Sequence, residues 1–229
     1  MSIGDESDLE GLRAIGRIVR AALEAMRDAV APGVTTAELD AIGARVMREH
    51  GARSAPQLVY RFPGVNCISV NDEIVHGIPS AKRRLAEGDL VKLDATFEKD
   101  GYMADAAITV PVGHVSLRAR ALVACAERAF ECALREVRPG RRLRDIGIAV
   151  EREVRRDGFS VVQALQGHGI GRTIHEEPMV PNWDDPTATG VLTEGLVITV
   201  EPIIAMGAGD AFAAGDGWTI RTADGSLAA

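Results

Sequence analysis

Between Asp8 and Ala31 the apolar residues Leu9, Leu12, Ile15, Ile18, Val19, Leu23 and Met26 recur at steps of three and four, the period of a helix that buries one face. Pro32-Gly33 ends the run, and Thr36 with Glu38 opens a second one that carries Leu39, Ile42, Val46 and Met47 to Gly51. The two runs predict a helical hairpin. From Gln57 onward, β-branched and aromatic residues separated by short turns predict strands, through Cys67-Ile68-Ser69-Val70, Leu90 to Phe97 and Tyr102 to Val110. Helical spacing returns from Leu117 to Val137, stops at Pro139-Gly140, resumes from Leu143 to Asp157 and gives way to a strand pattern over Phe159 to Ala164.

The second helical pair repeats the first. A constant offset of 107 takes Pro32-Gly33 to Pro139-Gly140, Leu39 to Ile146, Met47 to Val154 and Gly51 to Gly158, and strands follow both pairs. Two copies are too few for a stacked solenoid, so the pattern predicts a closed α+β domain with two similar halves and a cleft between them. Pro-Gly is also ordinary punctuation after a helix, and that reading leaves the halves unrelated.

Composition narrows the picture. With 229 residues, 46% of them hydrophobic and 26% charged, the chain suits one globular domain with one substantial core. A formal net charge of −7 and interspersed lysines and arginines offer no basic field, which argues against nucleic acid as a partner. No stretch approaches the roughly 18 apolar residues of a membrane span, and residues 1–8 have no basic segment leading into an apolar one. The expectation is a monomer in the cytoplasm without membrane contact. Cys67, Cys125 and Cys132 are few, odd in number and without CxxC spacing, so reduced and mostly buried thiols are expected.

Candidate chemistry lies at charged residues in apolar surroundings. In LVKLDATFEKDGYMADAAITV two strand patterns flank the turn-like Lys99-Asp100-Gly101, which brings Asp94 and Asp105 nearly opposite each other. Carboxylates that close repel, and a divalent metal would compensate them; the alternative is that one or both face solvent. GHGIGRTIHEEP is a weak dinucleotide signal, since no helical pattern follows Gly171. His168, between two glycines, suits a metal ligand or a turn histidine equally. His175 lies an odd number of residues further on, so an extended strand would put the two on opposite faces unless the chain bends at Gly169 or Gly171. Glu201 sits inside the apolar run VITVEPII and needs a partner if buried, and His76 precedes a rigid Gly-Ile-Pro turn.

Together VNDEIVHGIP, LDATFEKDGYMADAAITV, GHGIGRTIHEEP, VITVEPII and DGWTIRTADGSLAA resemble, in order and spacing, the methionine aminopeptidases of the single-domain, bacterial-like type, over nearly the whole chain from about residue 9. The resemblance implies a pita-bread fold, two pseudo-symmetric halves around a dinuclear metal cleft. It implies removal of N-terminal methionine from peptides or nascent proteins by a metal-activated water. Asp94, Asp105, His168 and Glu201 match the metal ligands, Glu201 also handling the proton of the water. His76 and His175 match two histidines that contact the scissile amide, and Phe62, Cys67 and Trp218 match positions lining a methionine pocket. The cofactors implied are two divalent ions, with Mn, Fe, Co and Zn all compatible with these ligands.

The same resemblance places a fifth ligand, a glutamate bridging both metals, on a final strand, whereas no glutamate follows Glu201 up to Ala229. The expectation is therefore a catalytic domain over residues 1–229 that lacks the family's last strand, in a sequence shortened from a longer form, with impaired activity in this form. The alternative is a peptidase-fold protein that binds a peptide or partner without hydrolysis.

Overall fold

A computed structural model describes all 229 residues. The chain runs through α1 (Glu6–Asp28), α2 (Thr36–Glu49), β1 (Arg53–Ser54), α3 (Ala55–Tyr60), β2 (Cys67–Val70), β3 (Glu73–Val75), β4 (Leu90–Lys99) and β5 (Tyr102–Pro111). It continues with α4 (Leu117–Glu136), α5 (Leu143–Arg156), β6 (Ser160–Val161), β7 (Gly167–Gly169), β8 (Glu176–Val180), β9 (Ile204–Ala205), β10 (Ala211–Ala213) and β11 (Ile220–Thr222). No helix is long and apolar enough to cross a membrane.

The four long helices follow the hydrophobic period, and their starts follow capping chemistry. Asp5 accepts the Asp8 N–H ahead of α1, and Thr35 and Glu38 form a reciprocal capping box ahead of α2, one residue before the Thr36 start read from the sequence. The inward faces of α1 and α2 pack Ile15, Val19, Met26 and Leu39 against Ile68, Leu93 and Phe97 of the sheet. A second cluster of the same size, 17 buried residues, joins α4 and α5 through Leu122, Ile146, Val150 and Val154 to Val180 and Ile204. The two helical pairs thus each build a core of their own, the arrangement the repeated pattern predicts.

The β4–β5 hairpin turns through Asp100 (φ 53°) and Gly101 (φ 81°), both in the left-handed region that a tight two-residue turn demands. Side chains alternate along β4. Val91, Leu93, Ala95 and Phe97 enter the α1–α2 core, so Lys92, Asp94 and Thr96 point to the other face. All strand pairings are antiparallel, with β4 flanked by β1 and β2 on one side and β5 on the other.

Three segments differ from the sequence pattern. Gln57 to Tyr60, expected as strand, lies in helix α3, because Ser54 caps the Gln57 N–H, Pro56 suits a first turn, and Arg61 ends the helix at φ 61°. Of Phe159 to Ala164 only Ser160–Val161 is strand, and of VITVEPII only Ile204 joins one, with Ile198 held to Gly169 by an isolated bridge. These runs pass singly beside short partners, so the ladder does not extend.

Candidate active site

The hairpin register decides where the two aspartates stand. Asp94 lies across from Cys67 on β2 and Ala107 on β5, while Asp105 lies across from Thr96. The two are diagonal neighbours, not opposite as the sequence suggested, because the Asp100-Gly101 turn pairs Lys99 with Tyr102 and every later pair follows. Both still share the face turned away from α1 and α2, and each carboxyl lies close enough to perturb the other. Burial, Asp105 and Glu201 raise the Asp94 carboxyl well above its ordinary range. Burial also raises Asp105, opposed by the Thr96 hydroxyl.

His168 is delivered to the same place by backbone contacts that only glycine permits. A Cβ on Gly167 would stand 2.6 Å from the Thr199 carbonyl oxygen, and one on Gly169 would stand 2.3 Å from the Glu177 carbonyl oxygen. Between them the Thr199 N–H donates to the His168 carbonyl at 2.7 Å. The His168 Nδ1 lies 2.8 Å from the Gly169 carbonyl, which can only accept, so the ring proton sits on Nδ1. The Nε2 lone pair then faces Asp105 Oδ2 at 3.9 Å and Glu201 Oε1 at 3.5 Å.

Glu201 enters from the third side. The Thr199 hydroxyl donates to its Oε1 at 2.7 Å, and the buried Asn182 side chain donates to its backbone carbonyl at 2.8 Å. Burial first, then Asp105, raises the Glu201 carboxyl to about 8. Neither β4 lysine offsets these acids: Lys92 Nζ donates to the backbone carbonyls of Asn71 and Ala228, and Lys99 Nζ to that of His50. A cleft of about 550 Å³ opens from Asp94, Asp105 and Glu201 toward Phe130 and Leu134 of α4.

Three carboxyls held up by burial and mutual repulsion, beside an imidazole with its lone pair inward, are a donor set of the kind divalent cations satisfy. No three of these side chains form a ready-made cage around one point. Asp94 and Asp105 stand side by side and repel, and Glu201 is bonded to Thr199, so a cation would have to draw the oxygens inward. The chemistry of the donors fits a metal; the donor positions are close without being closed.

His175 lies beside His168 with ring centroids 4.2 Å apart. The odd spacing in sequence is overcome by the bulge between His168 and Gly169 and by Gly171 at φ 144°. Burial, His168 and His76 together lower the His175 pKa to about 4. His76 stands at φ 57°, with the Thr219 hydroxyl 3.5 Å from its carbonyl, and crowding by neighbouring protein atoms lowers its pKa although its surface remains accessible. Phe62 and Trp218 meet edge to face at 5.2 Å, and Cys67 faces Asp94 across the strand pair. Burial foremost, then Asp94, Asp105 and Asp40, pushes the Cys67 thiol up.

The fold brings Asp94, Asp105, His168 and Glu201 together and seats His175 against them. Sequence reasoning missed Thr199 and gave Tyr60 no role, although Tyr60 bonds His175. A hydroxyl two residues before a lone carboxylate in an extended run was the available signal for Thr199; nothing local marked Tyr60. Cys67, Cys125 and Cys132 are all free, the first two buried.

A sequence model of metallopeptidase family M24 matches residues 10–226. The chain belongs to that family. This metallopeptidase is 46% identical to methionine aminopeptidase 2 of Bacillus subtilis over 230 aligned residues, covering 100% of this chain and 92% of the relative. It is 39% identical to the methionine aminopeptidase of Escherichia coli, covering 100% of this chain and 87% of the relative. Its fold superposes on the crystal structure of methionine aminopeptidase from Thermotoga maritima with a TM-score of 0.96 at 32% identity, over 100% of this chain and 92% of that one. The architecture is the α+β pita-bread fold.

Proposed function

We propose that this metallopeptidase removes N-terminal methionine from peptides and nascent proteins, with Asp94, Asp105, His168 and Glu201 as ligands of two divalent ions. The observation that carries the reading is the approach of Asp105 and Glu201 to the inward Nε2 of His168, with Asp94 close enough to both acids to be perturbed by them and the His175 ring against His168. Carboxylate and imidazole donors suit Mn, Fe, Co or Zn. When bound, such ions supply the charge that makes a water proton acidic near neutral pH and polarise a carbonyl.

The protein's own groups supply the rest. Glu201, held by the Thr199 hydroxyl on Oε1 and ionised once cations are bound beside it, would take up the proton of the attacking water and return it to the leaving amine. His175 is a neutral imidazole at pH 7, its pKa near 4, and donates to the carbonyl oxygen as negative charge develops there. His76, near enough to His175 to help lower its pKa, contacts the scissile amide beside it. The Phe62–Trp218 pair and Cys67 form an apolar, polarizable pocket suited to a thioether.

The test is His175→Ala in the metal-loaded protein, with release of methionine from a Met-Ala peptide as the assay. Turnover should fall about a hundredfold or more while metal content stays unchanged. Loss of metal would make His175 a ligand and overturn its role. A protein that binds metal and methionyl peptide and releases no methionine would be a binding protein, and the hydrolytic reading would fall.

A further inference from the structure

We infer that Tyr60 is a positioning residue for His175, its phenol donating to Nδ1 and so placing the ring proton on the nitrogen that faces the substrate. The inference rests on the reading of His175 given above and deepens it. Tyr60 Oη lies 2.6 Å from His175 Nδ1, and the two rings are 5.7 Å apart at a 44° tilt, so the phenol ring lies beside the imidazole as well as bonding it. The two residues are 115 apart in sequence, and the bond joins the first half of the chain to the second.

The direction of the bond follows from what each atom has to offer. The phenol has one proton and no other partner among the hydrogen bonds of the fold, and burial raises its pKa above the ordinary 10, so it keeps that proton at pH 7. A neutral imidazole has one lone pair in the ring plane, and a short O–H···N contact is the geometry in which a phenol gives its hydrogen to that lone pair. Nδ1 is thereby the acceptor and Nε2 carries the hydrogen. His168 is set the opposite way, with Nδ1 donating to the Gly169 carbonyl and Nε2 left as a lone pair. Two histidines 4.2 Å apart are thus assigned opposite tautomers by their partners, one to accept a cation and one to donate to a carbonyl oxygen.

The placement of Tyr60 is not accidental to a loose loop. Helix α3 begins at the Ser54 cap, whose hydroxyl also donates to the Val65 carbonyl at 2.8 Å, and ends with the left-handed Arg61, whose N–H returns to Gln57. Leu58, Val59 and Tyr60 on this helix are each more than 40% exposed, so Tyr60 is held by the helix and by His175, not by burial in the core.

The experiment uses the zinc-loaded protein labelled with ¹⁵N-histidine, with the His175 signals assigned by their loss in His175→Ala. In the native protein His175 should show a protonated Nε2 and an unprotonated Nδ1. Tyr60→Phe should move both nitrogens toward averaged values and lower kcat about tenfold, with KM within about twofold. Leu58→Ala, on the same exposed helix, should change neither. A protonated Nδ1 in the native protein, or Tyr60→Phe with tautomer and kcat unchanged, overturns the inference. If Tyr60→Phe shifts the tautomer but His175→Ala leaves turnover intact, the reading of His175 itself falls, and the positioning claim with it.

Discussion

The Thr199 hydroxyl accepts the His168 backbone N–H at 2.9 Å and donates to Glu201 Oε1 at 2.7 Å, so one small side chain sets two proposed ligands at once. Hydrogen bonds of this kind orient metal ligands and commonly alter metal affinity when lost. Thr199→Val keeps the shape and removes both bonds. We expect metal affinity to fall about 10- to 100-fold, measured by competition with a chelator, while saturating metal restores most of the turnover. Unchanged affinity would show that the backbone alone places His168 and Glu201.

At the scale of elements, the β7–β8 pair presents His168 only because its flanking glycines let neighbouring backbone come close. In Gly169→Ala the new Cβ would meet the Glu177 and Glu176 carbonyl oxygens at 2.3 and 2.8 Å, and backbone atoms cannot step aside as a side chain end can. The strand must shift, which should cost about 1–3 kcal/mol in denaturant unfolding and lower metal affinity through displaced His168. Gly16, inside α1, is the contrast: a Cβ there meets nothing within 4 Å, so Gly16→Ala should stabilise by about 0.5–1 kcal/mol. Equal effects of the two substitutions would remove close approach as the reason for the glycines around His168.

For the whole molecule, the cleft between the two helical cores gathers acids that destabilise the fold when ionised without a cation. Glu201 titrates near 8 in the fold against about 4.3 in an unfolded chain, so between those values the folded state binds more protons. Stability from this group therefore falls as pH rises. Lys92, lowered to about 7 by burial, acts in the opposite direction above that pH, so total stability is a poor reporter. The difference between the metal-free native protein and Glu201→Gln isolates the carboxylate. Gln mimics the protonated form at every pH, so the variant's advantage in thermal midpoint should be larger at pH 8 than at pH 6. Saturating the native protein with metal should raise its own stability by about 2.7 kcal/mol at a hundred times Kd and so narrow the variant's advantage. An advantage equal at both pH values would show that Glu201 is not held up by its surroundings.

The helices, the place of the hairpin turn though not its length, and the charged residues standing alone in apolar runs were legible in the sequence because each depends on residues within a few positions, and the repeated halves were legible through their constant offset. Period, capping and turn chemistry need no distant partner, and the set of motifs carried the family resemblance with them. The tertiary structure decided the rest. It made Asp94 and Asp105 diagonal instead of opposite, folded Gln57 to Tyr60 into a helix, and turned His168 and His175 to one side through a bulge. It also placed the Tyr60 hydroxyl on an imidazole 115 residues away. Such contacts depend on register and backbone path summed over the whole chain, and no local pattern of polar and apolar residues records that sum.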